Sequence, residues 1–389
     1  MRVLFSSIAG LAHFRSLTPF VDACIRHGHE VLVAAPPPLA EVVKTGGYPF
    51  AEFASPPEEE QAEARSRIRL VPPEDREATR LRESFGRLRP RASLPVLNEV
   101  CRSWRPDIVV RDRAEFGSAL AAELHEIPVV RVSRLASFEH HVMRLCADPL
   151  DELRRTVGLP SDPGAERLRR APSATFWPVS LEDAAEPAPP HTVRFRDPNW
   201  DSPAKQLDYE WGEAAGPLIY MTFGTVTGQL DFAVRVYGTA IEAVANLPVR
   251  ALLTAGGRPE AIPDSIDDSS HNIRVETWVN EVDVLPESTI VVCHGGAGSI
   301  LGALGAGLPL VIVPLFADQH VNARLVAAAG AGVVAELDVH SLRSAILDVL
   351  HHDDYRPHAR AISDELHMHA PSDTFVELLT NLTADSTDA

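Results

Sequence analysis

The chain has 389 residues and a formal net charge of -18 at pH 7, too long for one ordinary hydrophobic core, so two domains are expected. Hydrophobic residues at 45% and charged residues at 23% describe a globular chain, and the acidic balance argues against nucleic acid and anionic membranes as main partners. Four dispersed cysteines (Cys24, Cys101, Cys146 and Cys293) form neither a CxxC nor a zinc spacing, and no run approaches the roughly 18 apolar residues of a membrane span, so a cytoplasmic protein without a targeting segment is expected.

"MRVLFSSI" opens as a short buried strand. "SLTPFVDACIRHGH" follows with helical spacing, which puts Leu17, Phe20, Val21, Cys24 and Ile25 on one face. "EVLVAAPP" is the next strand, stopped by Pro36, Pro37 and Pro38. This β-α-β order predicts a parallel, doubly wound sheet. The charged stretch 55–91 reads as loops and surface helices. "PDIVVRD" then gives a strand, "FGSALAAELHEI" a helix and "PVVRVS" a further strand. In "SFEHHVMRLC", Phe138 and Met143 either line an apolar pocket or pack a helix. From about 183 to 216 the pattern decays into Pro- and Asp-rich sequence, the best linker candidate. The α/β rhythm restarts with "PLIYMTFG", "RALLTAG", "NIRVETWV" and "STIVVCH" as strands. The expected organisation is an N-terminal domain 1–200, a second domain 217–369 and a tail 370–389. The tail's "DTFVELLTNL" has a helical pattern, and its return to the first domain is left open.

Two such halves predict two Rossmann-like α/β domains with parallel sheets facing a cleft, and ligands bind beyond the carboxyl ends of parallel strands. Polar or aromatic residues stand at that point repeatedly: His13, Asp112, Thr222 to Thr225, Trp278, His294, and the pair Asp318 and Gln319. Any one of them alone is more simply a solvated loop residue or a helix cap. Their recurrence in both halves favours function.

The most informative stretch is "TIVVCHGGAGSILGALGAGLPLVIVPLFADQHVNA". Gly295, Gly296 and Gly298 leave bare backbone where a strand becomes a helix, so N–H groups can approach an anion closely and the helix dipole adds positive character. Ser299 and His294 can add donors. A diphosphate is the natural ligand of such a turn; the plainer reading is tight helix–strand packing, which Gly302, Gly305 and Gly307 are expected to serve. Asp318, 20 residues past Gly298, also invites an NAD-dependent oxidoreductase reading. Against it, the third glycine is Gly302 rather than residue 301, and NAD leaves His13 and Gln319 without a role.

Taken together, these residues resemble the nucleotide-sugar glycosyltransferases of the GT-B fold, in particular the bacterial natural-product branch of family 1. "HGGAGS", "GLPLVIVP", "DQHVNA" and "GAG" occur in the family's order, and "GLAHFRSLTPF" resembles its glycine–histidine loop. The resemblance implies His13 as catalytic base and Asp112 as its acidic partner, with Glu115 the alternative acid. It also implies a diphosphate on His294, Gly295, Gly296, Ala297, Gly298 and Ser299. Gly224 and Thr225 would stand on the diphosphate side, Trp278 and Val279 at the nucleobase, and Asp318 and Gln319 at sugar hydroxyls, with Asn322 nearby. Ser16 departs from a common proline, and "WVNEVDVL" departs from the usual base-binding segment, leaving contacts at Asn280 open. Ala297-Gly298-Ser299 in place of the plant branch's Trp-Asn-Ser favours a dTDP-sugar over a UDP-sugar.

The chemistry fits these residue types. Glycosyl transfer passes through an oxocarbenium-like state while the leaving diphosphate gains charge, which preorganised N–H donors stabilise. The acceptor hydroxyl must lose a proton, a task suited to His near neutral pH. No Asp-x-Asp occurs, so no metal and no cofactor beyond the sugar-nucleotide donor are expected. The expected enzyme inverts the anomeric centre and acts on a hydrophobic natural-product acceptor in antibiotic biosynthesis. A lipid- or cell-wall-directed sugar transferase of the same fold is the nearest alternative, and a homodimer is left open.

Overall fold

The computed structural model describes residues 1–389 except 136, 208, 210, 212–214, 257–271 and 388–389, and gives no side chains for 137–139 and 385–387. The chain divides into two compact units: Met1–Trp177 with Asp183–Asp197 and Ala370–Ala389, and Pro178–Glu182 with Pro198–His369.

Unit 1 holds an eight-stranded sheet. Its strands are β1 (Arg2–Ser6), β2 (Glu30–Ala35), β3 (Phe50–Glu52), β4 (Ile108–Asp112), β5 (Val129–Ser133), β6 (Ser173–Thr175), β7 (Thr192–Arg196) and, from the end of the chain, a two-residue strand at Ala370–Pro371. Every pairing is parallel, and the order runs from β3 through β2, β1, β4, β5, β6 and β7 to Ala370–Pro371. The chain leaves β1 towards β2 on one side, and later returns to β4 on the other. This reversal is the topological switch point, where parallel sheets open a crevice beyond their strand ends.

Helix Leu11–Arg26 packs on this sheet through Leu17, Phe20, Val21 and Cys24, all buried. Ile25 departs from expectation at 45% exposure while Cys24 beside it is fully buried, because one residue turns the side chain about 100° away from the buried stripe. The helix also begins five residues earlier than "SLTPF" implied, at Leu11, which brings His13 into its first turn.

The stretch read as a linker is not uniformly irregular. Thr192–Arg196 is a strand paired with β6 and with Ala370–Pro371, and its Phe195 is buried. Pro-rich flanks hid this strand. The tail belongs to the same unit: Phe375 is fully buried, with ring centroids 4.3 Å from Phe20 and 5.7 Å from Phe195. Each such ring removed from water contributes about 1.5–3 kcal/mol, which fastens helix Phe375–Thr387 to helix Leu11–Arg26. Of the linker stretch, 208, 210 and 212–214 lie outside the described residues.

Unit 2 holds a six-stranded parallel sheet: β8 (Leu218–Thr222), β9 (Arg250–Thr254), β10 (Ile273–Glu276), β11 (Ser288–Cys293), β12 (Leu310–Ile312) and β13 (Gly332–Val334). Its order is β10-β9-β8-β11-β12-β13, so the switch point lies between β8 and β11. One sheet face buries Ile219, Met221, Ala251, Leu253 and Val292 against helices Ala233–Val244 and Val339–His351. Parallel strands covered on both faces read as continuous apolar runs, which is why β8, β9 and β11 were visible in the sequence, whereas the three-residue β13 was not read as a strand.

Candidate active site

The two switch points carry His13, Asp112, Gly224, Thr225 and the His294–Ser299 turn, while Trp278 and Val279 follow the edge strand β10 and Asp318 and Gln319 follow β12. In unit 1, His13 follows β1, Asp112 ends β4, and these strands are neighbours. His13 Nδ1 lies 2.8 Å from Asp112 Oδ1. The carboxylate is 1% exposed and the imidazole is half-buried. Burial alone pushes the Asp112 carboxyl up, but His13, through its charge and hydrogen bond, together with Arg113 and Arg111, holds it below the ordinary value. A carboxylate on Nδ1 fixes the ring tautomer and leaves Nε2 to take a proton. Ser16, standing where proline is common, donates from Oγ to the His13 carbonyl at 2.6 Å, which ties down the first helical turn. The His13 ring nitrogen is engaged by Asp112 rather than by the start of its own helix.

Glu115 has a different task. Its Oε1 accepts from Gly117 N and its Oε2 from Ser118 N, both at 2.9 Å, and Oε1 also accepts from Ser93 Oγ. It caps helix Gly117–Leu124, which excludes it as the partner of His13. Met143 and Cys146 are buried in the unit 1 core beside Phe116 and Leu81, so they pack a helix rather than line an open pocket. Phe138 lies outside the described side chains.

In unit 2, β11 runs into His294 and the glycine turn, then helix Ala297–Gly305. Gly295 has φ +88°, and a Cβ there would meet Gln319 O and Ile312 Cγ2 at 3.0 Å, so only glycine fits this turn. Gly296 at the N-cap supplies no side-chain cap, and the first-turn N–H groups of Ala297, Gly298 and Ser299 have no intrahelical acceptor. Around Gly298 there is open space. The turn therefore presents several bare donors with the helix dipole behind them.

The His294 ring is wedged between two glycines. A Cβ on Gly296 would lie 2.5 Å from its Nε2, and one on Gly224 would lie 2.8 Å away. Burial pulls the imidazole down to about 4, against the opposing influence of Asp318 and a hydrogen bond to the backbone of Thr222. At neutral pH it is uncharged, with Nδ1 buried and unpartnered among the described residues. Gly224, at φ +75°, starts the short turn Gly224–Thr227 beyond β8, and the half-buried Thr225 follows it, its Cα 3.5 Å from where a Cβ on Gly256 would lie.

Gln319 is buried, and its Oε1 accepts from Leu315 N at 2.8 Å and Phe316 N at 2.9 Å. Its carbonyl is thus committed to the loop, and the amide nitrogen is the end left for a ligand. Asn322 Nδ2 bridges Gly295 O at 2.9 Å and Asp318 Oδ2 at 3.0 Å, so it braces the glycine turn against Asp318. Trp278 is 59% exposed while Val279 is buried; the indole face beyond β10 is open for stacking. Gly302 abuts Glu281, Gly305 abuts Trp200 and Gly307, at φ +66°, abuts Arg360, so these glycines face helical segments rather than the strand packing expected of them.

Gly256 was missed. It ends the β9 strand segment with φ +62°, and a Cβ there would strike Gly224 O at 2.5 Å. A glycine closing the strand "RALLTAG" was the available signal, but its neighbour lies 32 residues away in sequence.

With this geometry in view, relationship to known proteins is informative. Residues 23–144 match the N-terminal and residues 258–382 the C-terminal domain of the family described as "Erythromycin biosynthesis protein CIII-like". The chain is 27% identical over 372 residues to L-demethylnoviosyl transferase of Streptomyces niveus, covering 94% of each. The structure of glycosyltransferase VinC in complex with DTDP superposes with a TM-score of 0.73 at 22% identity, covering 99% of this chain and 100% of that one. Spinosyn rhamnosyltransferase SpnG superposes with a TM-score of 0.76 at 23% identity, covering 98% and 100%. The chain belongs to the bacterial natural-product branch of the family 1 glycosyltransferases and has the GT-B fold. It is a glycosyltransferase of the antibiotic-biosynthesis type, which sets aside the dinucleotide reading of the glycine turn. Among the described residues, no helix is long and apolar enough to cross a membrane.

Proposed function

We propose that this enzyme transfers a deoxysugar from a dTDP-sugar to a hydroxyl of a hydrophobic natural-product acceptor, with inversion and without a metal ion. His13 takes the acceptor proton on Nε2, and Asp112 holds the ring and stabilises the imidazolium. The oxygen so activated attacks the anomeric carbon from the face opposite the diphosphate, and the bond to the diphosphate breaks as the new one forms. The helix donors at 297–299, with His294 and Thr225, receive the charge that develops on the leaving group. Trp278 and Val279 border the base, and Asp318 and Gln319 take sugar hydroxyls. The observation that carries this reading is the 2.8 Å bond between His13 and Asp112 at a switch point. A DTDP complex among the structural neighbours supports the choice of nucleotide.

The test is a thermal-shift and calorimetric panel of dTDP, UDP, GDP and NAD, run in excess EDTA. dTDP is expected to stabilise the protein, by about 2.7 kcal/mol at 100 times its Kd, and transfer is expected to persist in EDTA. A response to NAD alone overturns the donor class. Activity lost in EDTA and restored by Mg²⁺ overturns the metal-free mechanism.

A further inference from the structure

Asp112 has a weakness for a residue asked to orient a base. Only its Oδ1 is engaged, by His13; Oδ2 is buried with no hydrogen-bond partner among the described residues. Its own side-chain bonds therefore do not fix the carboxylate. The backbone that carries it must.

That backbone is the turn 112–115, between β4 and helix Gly117–Leu124, and Arg111 holds it. Arg111 is fully buried in β4, on the same sheet face as the core residue Val109. A cation in such a place costs several kcal/mol unless its donors are used. Nη1 donates to the carbonyls of Asp112, Arg113 and Glu115, each at 3.1 Å, and the guanidinium lies 5.3 Å above the Phe116 ring. Glu115 N closes the same turn on Asp112 O at 3.1 Å. We propose that Arg111 is a positioning residue for glycosyl transfer, its guanidinium clamping the 112–115 turn so that Asp112 meets His13 in one geometry. This rests on the assignment of His13 as base.

Three variants separate the clamp from its charge. Arg111→Lys keeps the cation, but the shorter lysine stem does not reach the place Nη1 holds against the three carbonyls. Arg111→Gln removes both, and Arg113→Gln removes a nearby charge without touching the clamp. Arg111→Lys and Arg111→Gln are expected to lower kcat roughly tenfold or more, to displace the acid limb of the kcat/KM profile, and to leave dTDP affinity unchanged. Arg113→Gln is expected to keep most of kcat. In the Asp112→Asn background, Arg111→Lys should add almost nothing. A wild-type rate and profile in Arg111→Lys, an equal loss in Arg113→Gln, or losses that multiply with Asp112→Asn would each overturn the clamp. Should the Arg111 variants not fold, hydrogen exchange in the wild-type chain decides: the Glu115 amide is expected among the slowly exchanging ones, and fast exchange rejects the proposal. Near-normal kcat in His13→Ala would remove the underlying assignment instead, whereas a deep loss there with a silent Arg111→Lys would remove only the clamp.

Discussion

The two units solve different chemical problems at the same topological address. Each sheet reverses its strand order once, between β1 and β4 in unit 1 and between β8 and β11 in unit 2. At the first reversal the structure places side chains: an imidazole on a buried carboxylate. At the second it places backbone: glycines at 224, 256, 295 and 296, three of them at positive φ, and an uncapped helix start. A proton acceptor has to be a titratable side chain. A site for a spreading diphosphate charge is better built from many fixed N–H dipoles, which need no reorganisation as the charge grows. The histidines differ accordingly. His13 is half-buried against a carboxylate, whereas His294 is wedged between glycines and lowered to about 4 by burial, so it works as a neutral group.

The contrast makes its strongest claim at His13. His13→Ala is expected to reduce kcat by roughly 10²–10⁴-fold while dTDP affinity holds. Asp112→Asn should lose less, and the double variant little more than His13→Ala, because the two act as a unit. Near-normal kcat in His13→Ala, or losses that simply multiply, would dissolve the dyad.

At the other switch point, His294→Ala should weaken dTDP by about 1.5–3 kcal/mol, the value of a hydrogen bond to a charged group. Calorimetry with thymidine should show almost no change. Equal losses for nucleotide and nucleoside would place His294 away from the phosphates. Gly224→Ala probes the backbone instead. Its positive φ costs an L-residue about 1–2 kcal/mol, and the added methyl pushes on His294. The expected outcome is dTDP affinity lowered roughly tenfold, and an unaltered Kd would show that the glycine serves folding alone.

The last effect is on stability rather than on ligand or rate, through its dependence on pH. An ordinary histidine titrates near 6.5 and His294 near 4, so between those values the unfolded chain binds a proton that the folded chain does not. Stability therefore rises with pH across this window and is lost as pH falls from about 6.5 towards 4, at no more than about 1.4 kcal/mol per pH unit. Asp112, held low, contributes its loss only below the ordinary carboxylate range. Chemical denaturation of wild type and His294→Gln at pH 7 and 5 checks this; an identical pH dependence in both would show that His294 is not the buried neutral group.

What could be read from the residues in order was local. β11 and the turn after it were legible because a strand flanked by helices must be apolar throughout, and a turn at positive φ must be glycine. His13 and Asp112 were legible as strand-end residues, but their bond spans 99 positions. Periodicity did not find β7, since a strand of five residues between prolines, with only Phe195 fully buried, has too little pattern.

Side-chain period and backbone freedom within a few residues are enough to specify two parallel α/β sheets, a glycine turn before a helix and a histidine after the first strand. Long-range packing selects Asp112 rather than Glu115 as the partner of His13, since the two acids are three residues apart and the turn sends one to the imidazole and the other to a helix N-terminus. It also decided that Gln319 spends its carbonyl on its own loop, and that Gly256 must yield to Gly224. Such choices are made by groups that become neighbours only when distant strands pair, and no local pattern records which neighbours those will be.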